Sequence, residues 1–318
     1  MSVINLQGQD FPLGSSGFVR INVGKLPSGN RISIFVYVFR SKNIGPTILF
    51  SGGMHGDEIN GVEIIRRSIQ QGMFNNLLCG TVIAIPLINI FGFINFSRDV
   101  PDGKDVNRSF PGTLKGSLAA RVARLLTVKI LPLVDAGIDF HSGGEDHWNY
   151  PQIRYAPKDM MAKELAINTK FPILVEKPNL PNSFRKTAKE AKKVILIYEG
   201  GEALRMEPFV IDKGLDLIRN LLSHYKMIQD QTKIPAKVNI YHKSFWERAP
   251  EAGMLTHIRQ AGQYVKRGEV LAILNDPFGI KEVLMYASRD GFILAHNNAP
   301  VVNLGDGIIH LGYEEERV

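Results

Sequence analysis

The chemistry in this chain starts at Gly52-Gly53-Met54-His55-Gly56-Asp57-Glu58, which follows a run of apolar residues. His55 and Glu58 are three residues apart, a spacing that lets both face one point where a turn enters a helix. Gly52 and Gly53 suit a tight turn, and Gly56 is expected to leave space beside the imidazole. An imidazole and a carboxylate are suitable zinc ligands. The pair alone is equally accounted for by a surface His55 and a Glu58 that caps the helix. His141 changes the balance, because it ends a second apolar run, Ala136–Phe140, before Ser142-Gly143-Gly144. Two histidines and one glutamate leave a fourth tetrahedral position open, the pattern of a catalytic zinc site with one Zn2+ per chain.

A further strand-like run, Val194–Tyr198, delivers Glu199 into Gly200-Gly201. A carboxylate there can take a proton from water and pass it to a leaving amine. Glu202 is the competing candidate, but it lies farther from the strand. Between these segments runs a polar loop from Arg98 to Gly112. Asn107 beside Arg108 offers an amide and a planar guanidinium, which together can hold a substrate carboxylate. Arg98 can set positive charge against a developing oxyanion. Arg154 and Arg185 sit in polar segments and read more simply as solvated. His147, Trp148 and Tyr150 follow closely enough to line a pocket, whereas His147 as a fourth ligand would close the open position.

Ligands of open α/β sheets bind beyond the carboxyl ends of strands, and the rest of the sequence supplies such a sheet. From about residue 30 to 230, strand-like runs alternate with helical patterns, which predicts an α/β architecture. Strands are expected at Arg31–Phe39, Pro46–Ser51, Thr81–Ile85, Ala136–Phe140 and Val194–Tyr198, and helices from near Glu58, Ser117, Lys158, Ser183 and Pro208. Apolar residues recur at helical spacing through Pro208–Met227. After about residue 233 short alternating strands are separated by glycine turns, as at Gly253–Ile258, Glu269–Leu274 and Gly291–Ala295. The expected organisation is a hydrolase domain over 1–232, with residues 1–30 packing on it as an extension, and a small β-barrel or sandwich over 233–318.

Composition narrows the function classes. The chain has 318 residues, 44% hydrophobic and 22% charged, ordinary for a globular protein. Its most apolar stretch, Thr81 to Phe96, is broken by Pro86, Asn89 and Asn95, unlike a membrane span of about 20 apolar residues. The formal charge of +7 comes from scattered Lys and Arg, which describes a solvated basic surface better than a nucleic-acid interface. One cysteine and an N-terminus without signal-peptide character predict a cytoplasmic protein.

HGDE, DVNRSFPG, DFHSGG and YEGGE, in that order, resemble the succinylglutamate desuccinylase/aspartoacylase family, which is related to the zinc carboxypeptidases. The resemblance spans roughly residues 30–318 and is strongest between 47 and 203. It implies a carboxypeptidase-like mixed sheet flanked by helices, with zinc on His55, Glu58 and His141. Asn107 and Arg108 would take the substrate carboxylate and Glu199 would activate water. Arg98 matches an arginine that polarises the scissile carbonyl, although the loop before Asn107 is longer here than in aspartoacylase. The segment Gly262–Ala272 resembles a biotinyl/lipoyl-type barrel, but Lys281 lacks the flanks of a modified lysine. The family's C-terminal domain lies beside the active site and restricts it to small substrates.

The implied activity is zinc-dependent deacylation of a small N-acyl amino acid or related amide, with no nucleic-acid or membrane partner; a homo-oligomer is compatible with it. A metallocarboxypeptidase acting on short peptides shares the motifs. A non-catalytic binding protein on the same fold would be expected to lose the metal ligands or the base, and all are present.

Overall fold

The structure, a computed structural model, describes residues 3–25, 28–229 and 237–318. An N-terminal hairpin of β1 (Val3–Leu6) and β2 (Gln9–Pro12) leads into β3 (Ser16–Lys25) and β4 (Arg31–Arg40). There follow β5 (Thr47–Gly52), helix α1 (Ile59–Gln70), β6 (Thr81–Ile85) and the short α2 (Ile90–Ile94). Helix α3 (Leu118–Leu125) precedes β7 (Ala136–Gly143) and β8 (His147–Tyr155). Helix α4 (Met160–Asn168), β9 (Ile173–Glu176), α5 (Phe184–Glu190), β10 (Val194–Glu202) and α6 (Pro208–His224) come next.

The expected strands are all present, and the two that carry candidate residues run further than expected. Strand β7 continues past His141 to Gly143, and β10 continues past Glu199 to Glu202 through an irregularity in its pairing. Helix starts follow local capping: Ser117, Asp159 and Ser183 each accept a backbone N–H from the first turn of α3, α4 and α5. Strand β5 is buried along its whole length because both faces of the sheet are covered. Its residues alternate accordingly: Ile48 and Phe50 join the core under α1 and α6, while Leu49 joins the core under α3.

The C-terminal part contributes β11 (Asn239–Arg248), β12 (Gly253–His257), β13 (Tyr264–Val265), β14 (Val270–Asn275), β15 (Glu282–Tyr286), β16 (Gly291–Asn297), β17 (Val301–Val302) and β18 (Gly307–Arg317). Part of this segment, expected as an appended unit, continues the main sheet. Among the described residues that sheet has twelve strands in the order β13-β16-β18-β11-β9-β8-β10-β7-β5-β6-β4-β3. The parallel pair β9–β11 makes the join, and β16 also pairs with the start of β8. Strands β8, β9, β11, β18 and β16 therefore form a closed circuit of pairings, with Ile173, Val175, Tyr241 and Leu294 packed together. Strands β12, β14, β15 and β17 make a separate four-stranded antiparallel sheet. The expected boundary between residues 232 and 233 lies outside the described residues. Among the described residues no helix is long and apolar enough to cross a membrane.

Candidate active site

Glycines bring the first two candidate residues against the sheet. Gly53 turns with φ +59°, as a tight exit from β5 requires. A Cβ on Gly61 of α1 would come within 2.7 Å of Phe140 Cβ, so α1 lies close on β7. Gly56 also lets α2 approach, because a Cβ there would fall 2.0 Å from the Gly92 backbone.

His55, Glu58 and His141 meet as the motifs predict, with exposures of only 3%, 2% and 4%. Glu58 stands at the N-cap of α1, yet its side chain makes no capping bond. Its Oε1 lies 2.6 Å from His55 Nδ1 and its Oε2 lies 2.9 Å from His141 Nδ1. Ligand atoms of the three residues all lie within 4.8 Å of one another, and His147 is not part of that group.

Two carboxylates that sequence reasoning passed over complete the arrangement. Asp139 Oδ2 sits 2.9 Å from His141 Nε2, and Ser51 Oγ donates to Asp139 Oδ1 over 2.7 Å. Asp105 Oδ1 sits 3.2 Å from His55 Nε2. The same Asp105 caps a 3-10 turn by accepting from Asn107 N at 2.6 Å, so the turn that presents Asn107 and Arg108 also braces His55. Each ring thus has Nε2 tied to an aspartate and Nδ1 turned to the shared centre.

Charge follows geometry here. Burial works against a protonated His141, but the carboxylates of Asp139 and Glu58 outweigh it and hold its pKa well above the ordinary histidine value. His55 is raised in the same way, with burial opposed by Glu58 and Asp105. Burial would raise Glu58, but the two histidines pull it well below the usual carboxylate range. Asp105 is also held low, its burial outweighed by His55 and Arg98.

These residues open on a cavity of about 480 Å³ that also receives Arg98, Asn107, Arg108 and Glu199. Glu199 is in register with His141 on the neighbouring parallel strand. Arg154 Nη1 donates to its Oε1 at 2.9 Å, and Asn149 Nδ2 to its Oε2 at 3.0 Å. Glu202 instead accepts from Asn298 Nδ2 and does not line the cavity. Arg98 is bound to Glu58 at 3.3 Å and to Asp105 at 2.9 Å. Asn107 Oδ1 accepts from Phe184 N at 2.9 Å, and Arg108 donates to the Asn107 carbonyl at 2.8 Å.

Arg154 and Arg185, expected to be solvated, both line the cavity. Lys177, Trp246 and His310 join them from segments that carried no motif. A signal for Asp139 was available, since residues two apart on a strand share a face.

Residues 44–225, more than half of the chain, match the family described as the succinylglutamate desuccinylase/aspartoacylase catalytic domain. The chain is 26% identical over 309 residues to the N-alpha-acetyl-L-2,4-diaminobutyric acid deacetylase of Halomonas elongata, covering 92% of this chain and 89% of the relative. Its fold is similar to that of the product-bound ectoine utilization protein EutE (DoeB) from Ruegeria pomeroyi, with TM-score 0.82, 22% identity and 94% of each chain covered. It is also similar to a succinylglutamate desuccinylase/aspartoacylase from Rhodobacter sphaeroides, with TM-score 0.81, 24% identity, and 94% of this chain and 96% of the other covered.

Proposed function

We propose that this chain, which belongs to the succinylglutamate desuccinylase/aspartoacylase family, is a zinc-dependent deacylase of a small N-acyl amino acid or related carboxylate-bearing amide. The reading rests on one observation above all: the Nδ1 atoms of His55 and His141 converge on the two oxygens of Glu58, at the wall of a cavity. Two imidazoles and a carboxylate are a donor set that fits zinc with an open position. Asp105 and Asp139 add to the fit, because an acceptor at each Nε2 favours the tautomer whose Nδ1 lone pair is free for a metal. A zinc ion held by His55, Glu58 and His141 would supply Lewis acidity, activating a water and polarising the acyl carbonyl.

The chain's own residues do the remaining work. Glu199, fixed by Arg154 and Asn149, takes the proton from the attacking water and returns it to the departing amine. Arg98 brings positive charge towards the acyl oxygen as negative charge develops there. Asn107 and Arg108 hold the substrate carboxylate, which reduces the entropy cost of reaching the reactive geometry. With its Oδ1 engaged by Phe184 N, Asn107 retains its amide nitrogen as the donor for that anion.

The C-terminal segment acts as a wall that confines the cavity, since Trp246 of β11 and His310 of β18 both line it. Confinement favours a small amide over a peptide, and the activity named for the Halomonas elongata relative supports deacylation. The test is hydrolysis of a panel of N-acyl amino acids and short peptides by zinc-loaded protein, before and after chelation. Turnover of acyl amino acids that chelation abolishes is the expected result. Preferential cleavage of peptides would make the protein a metallocarboxypeptidase, and no hydrolysis at all would leave it a binding protein.

A further inference from the structure

Between β14 and β15 the chain turns through Asp276–Lys281, where Phe278 and Ile280 are 83% and 85% exposed. The turn is held from within. The Asp276 carboxylate accepts the backbone N–H of Phe278 at 2.7 Å, of Ile280 at 2.9 Å and also of Lys281. Two large apolar side chains are thus presented in a fixed geometry, which lowers the ordering cost of binding. The sheet behind them continues the apolar surface. Its outer face sets Met254 opposite Val301 and Ile273 opposite Leu284, where the solvent side of an antiparallel sheet is ordinarily polar. Asp276, Glu282 and Glu251 make the tip acidic, and its one cation, Lys281, is paired to Glu251.

A surface of the opposite charge lies at the other end of the molecule. The small sheet packs on β16 and β18, whereas β3 ends the strand order on the far side. Between β3 and α3, two hollows of about 590 and 510 Å³ adjoin, sharing Gly24, Lys25 and Arg121. Phe91, Ile94 and Leu118 wall the first, and Leu114, Leu125 and Val128 wall the second. The charged residues of this groove are Lys25, Arg121 and Lys129, and no acidic side chain lines it. An apolar floor rimmed by cations suits an apolar group rimmed by carboxylates. Pairing either feature with its own copy about a two-fold axis would set like charges together. Tip against groove sets opposite charges together.

We propose that the chain associates with a second copy head to tail, the tip bearing Phe278 and Ile280 seated in the β3–α3 groove of the next copy. The contact is heterologous, so it leaves a tip and a groove free at the two ends unless a ring closes. It stands apart from the deacylase reading, because neither surface shares a residue with the active-site cavity.

Analytical ultracentrifugation of the full chain tests the contact. The tip variant carries Phe278→Asp and Ile280→Asp, and the groove variant carries Ile94→Asp. All three side chains are exposed, so circular dichroism and thermal unfolding are expected to match the wild type. Arg121→Glu is a second groove variant should α2 not tolerate the aspartate. The wild type is expected to sediment above the monomer mass and to loosen as salt rises. Each variant alone is expected to be monomeric. Their equimolar mixture is expected to form a 1:1 heterodimer and nothing larger, because only one intact tip and one intact groove remain between the two. A monomeric wild type, an oligomer that survives in either folded variant, or a mixture that stays monomeric overturns the proposal.

Discussion

Asp139 and His141 project from the same face of β7, and the carboxylate of the first holds Nε2 of the second at 2.9 Å. Ser51 on the adjacent strand fixes the other oxygen of Asp139, so the ring orientation is set from two strands at once. An aspartate in that position both orients the imidazole and strengthens it as a ligand. Asp139→Asn is expected to weaken zinc binding by about 10- to 100-fold, read by competition against a chelator. Wild-type affinity in the variant would mean that His141 is positioned by other contacts.

Protons and zinc compete for the same nitrogens, which fixes the sign of a pH effect. The folded pKa of His141 lies above its unfolded value near 6.5. Its contribution to the metal-free protein's stability is therefore complete below that value and fades as pH rises through the folded one. Zinc requires deprotonated rings, so its affinity rises over the same range. Thermal unfolding from pH 6 to 9 is expected to show metal-free protein losing this stabilisation while the added stability from zinc grows. A zinc-induced shift in Tm that shrinks as pH rises would contradict the ligand assignment.

Glu199→Gln is expected to keep zinc and lose turnover by about 10²- to 10⁴-fold. The substitution preserves size, keeps an acceptor for Arg154 and can donate to Asn149 once that amide is turned, but it removes the proposed base. Zinc content and kcat measured on the same preparation separate the two effects. Near-normal kcat would move proton transfer to another group, and Glu202 is a poor successor because it is bound to Asn298 outside the cavity.

What the sequence revealed was the part whose signal is local. His55, Glu58, His141 and Glu199 each sit where an apolar run meets glycines, and such junctions fall near the carboxyl ends of strands, although β7 and β10 run on past His141 and Glu199. Asp139 was hidden in plain view, two residues before His141, because it read as one more position of a buried strand. Asp105 was passed over for its neighbours Asn107 and Arg108, although it caps the turn that holds both. Lys177, Trp246 and His310 could not be found this way. They follow β9, lie on β11 and lie on β18, and only the long-range pairs β9–β11 and β11–β18 bring them to one wall. Glycine-punctuated strands after residue 233 look the same whether they close on themselves or continue another sheet. The pairing of β11 with β9 was accordingly invisible, while the strands themselves were not.

Gly56 tests the packing that presents His55. Gly56→Ala would place a Cβ 2.0 Å from the Gly92 backbone, and backbone cannot yield as a flexible side chain can. A loss of about 2–3 kcal/mol or more is expected, read from denaturant unfolding of metal-free protein. Unchanged stability would mean that α2 moves away at little cost.

The central claim is that one zinc, on His55, Glu58 and His141, supports amide hydrolysis in the cavity. Titration of metal-free protein with zinc, following release of the amine from an N-acyl amino acid, tests it most directly. Hydrolysis should be absent without metal, rise in proportion to added zinc and level off at about one ion per chain. Full hydrolysis by metal-free protein, or none with one zinc bound per chain across the acyl amino acid panel, would contradict it.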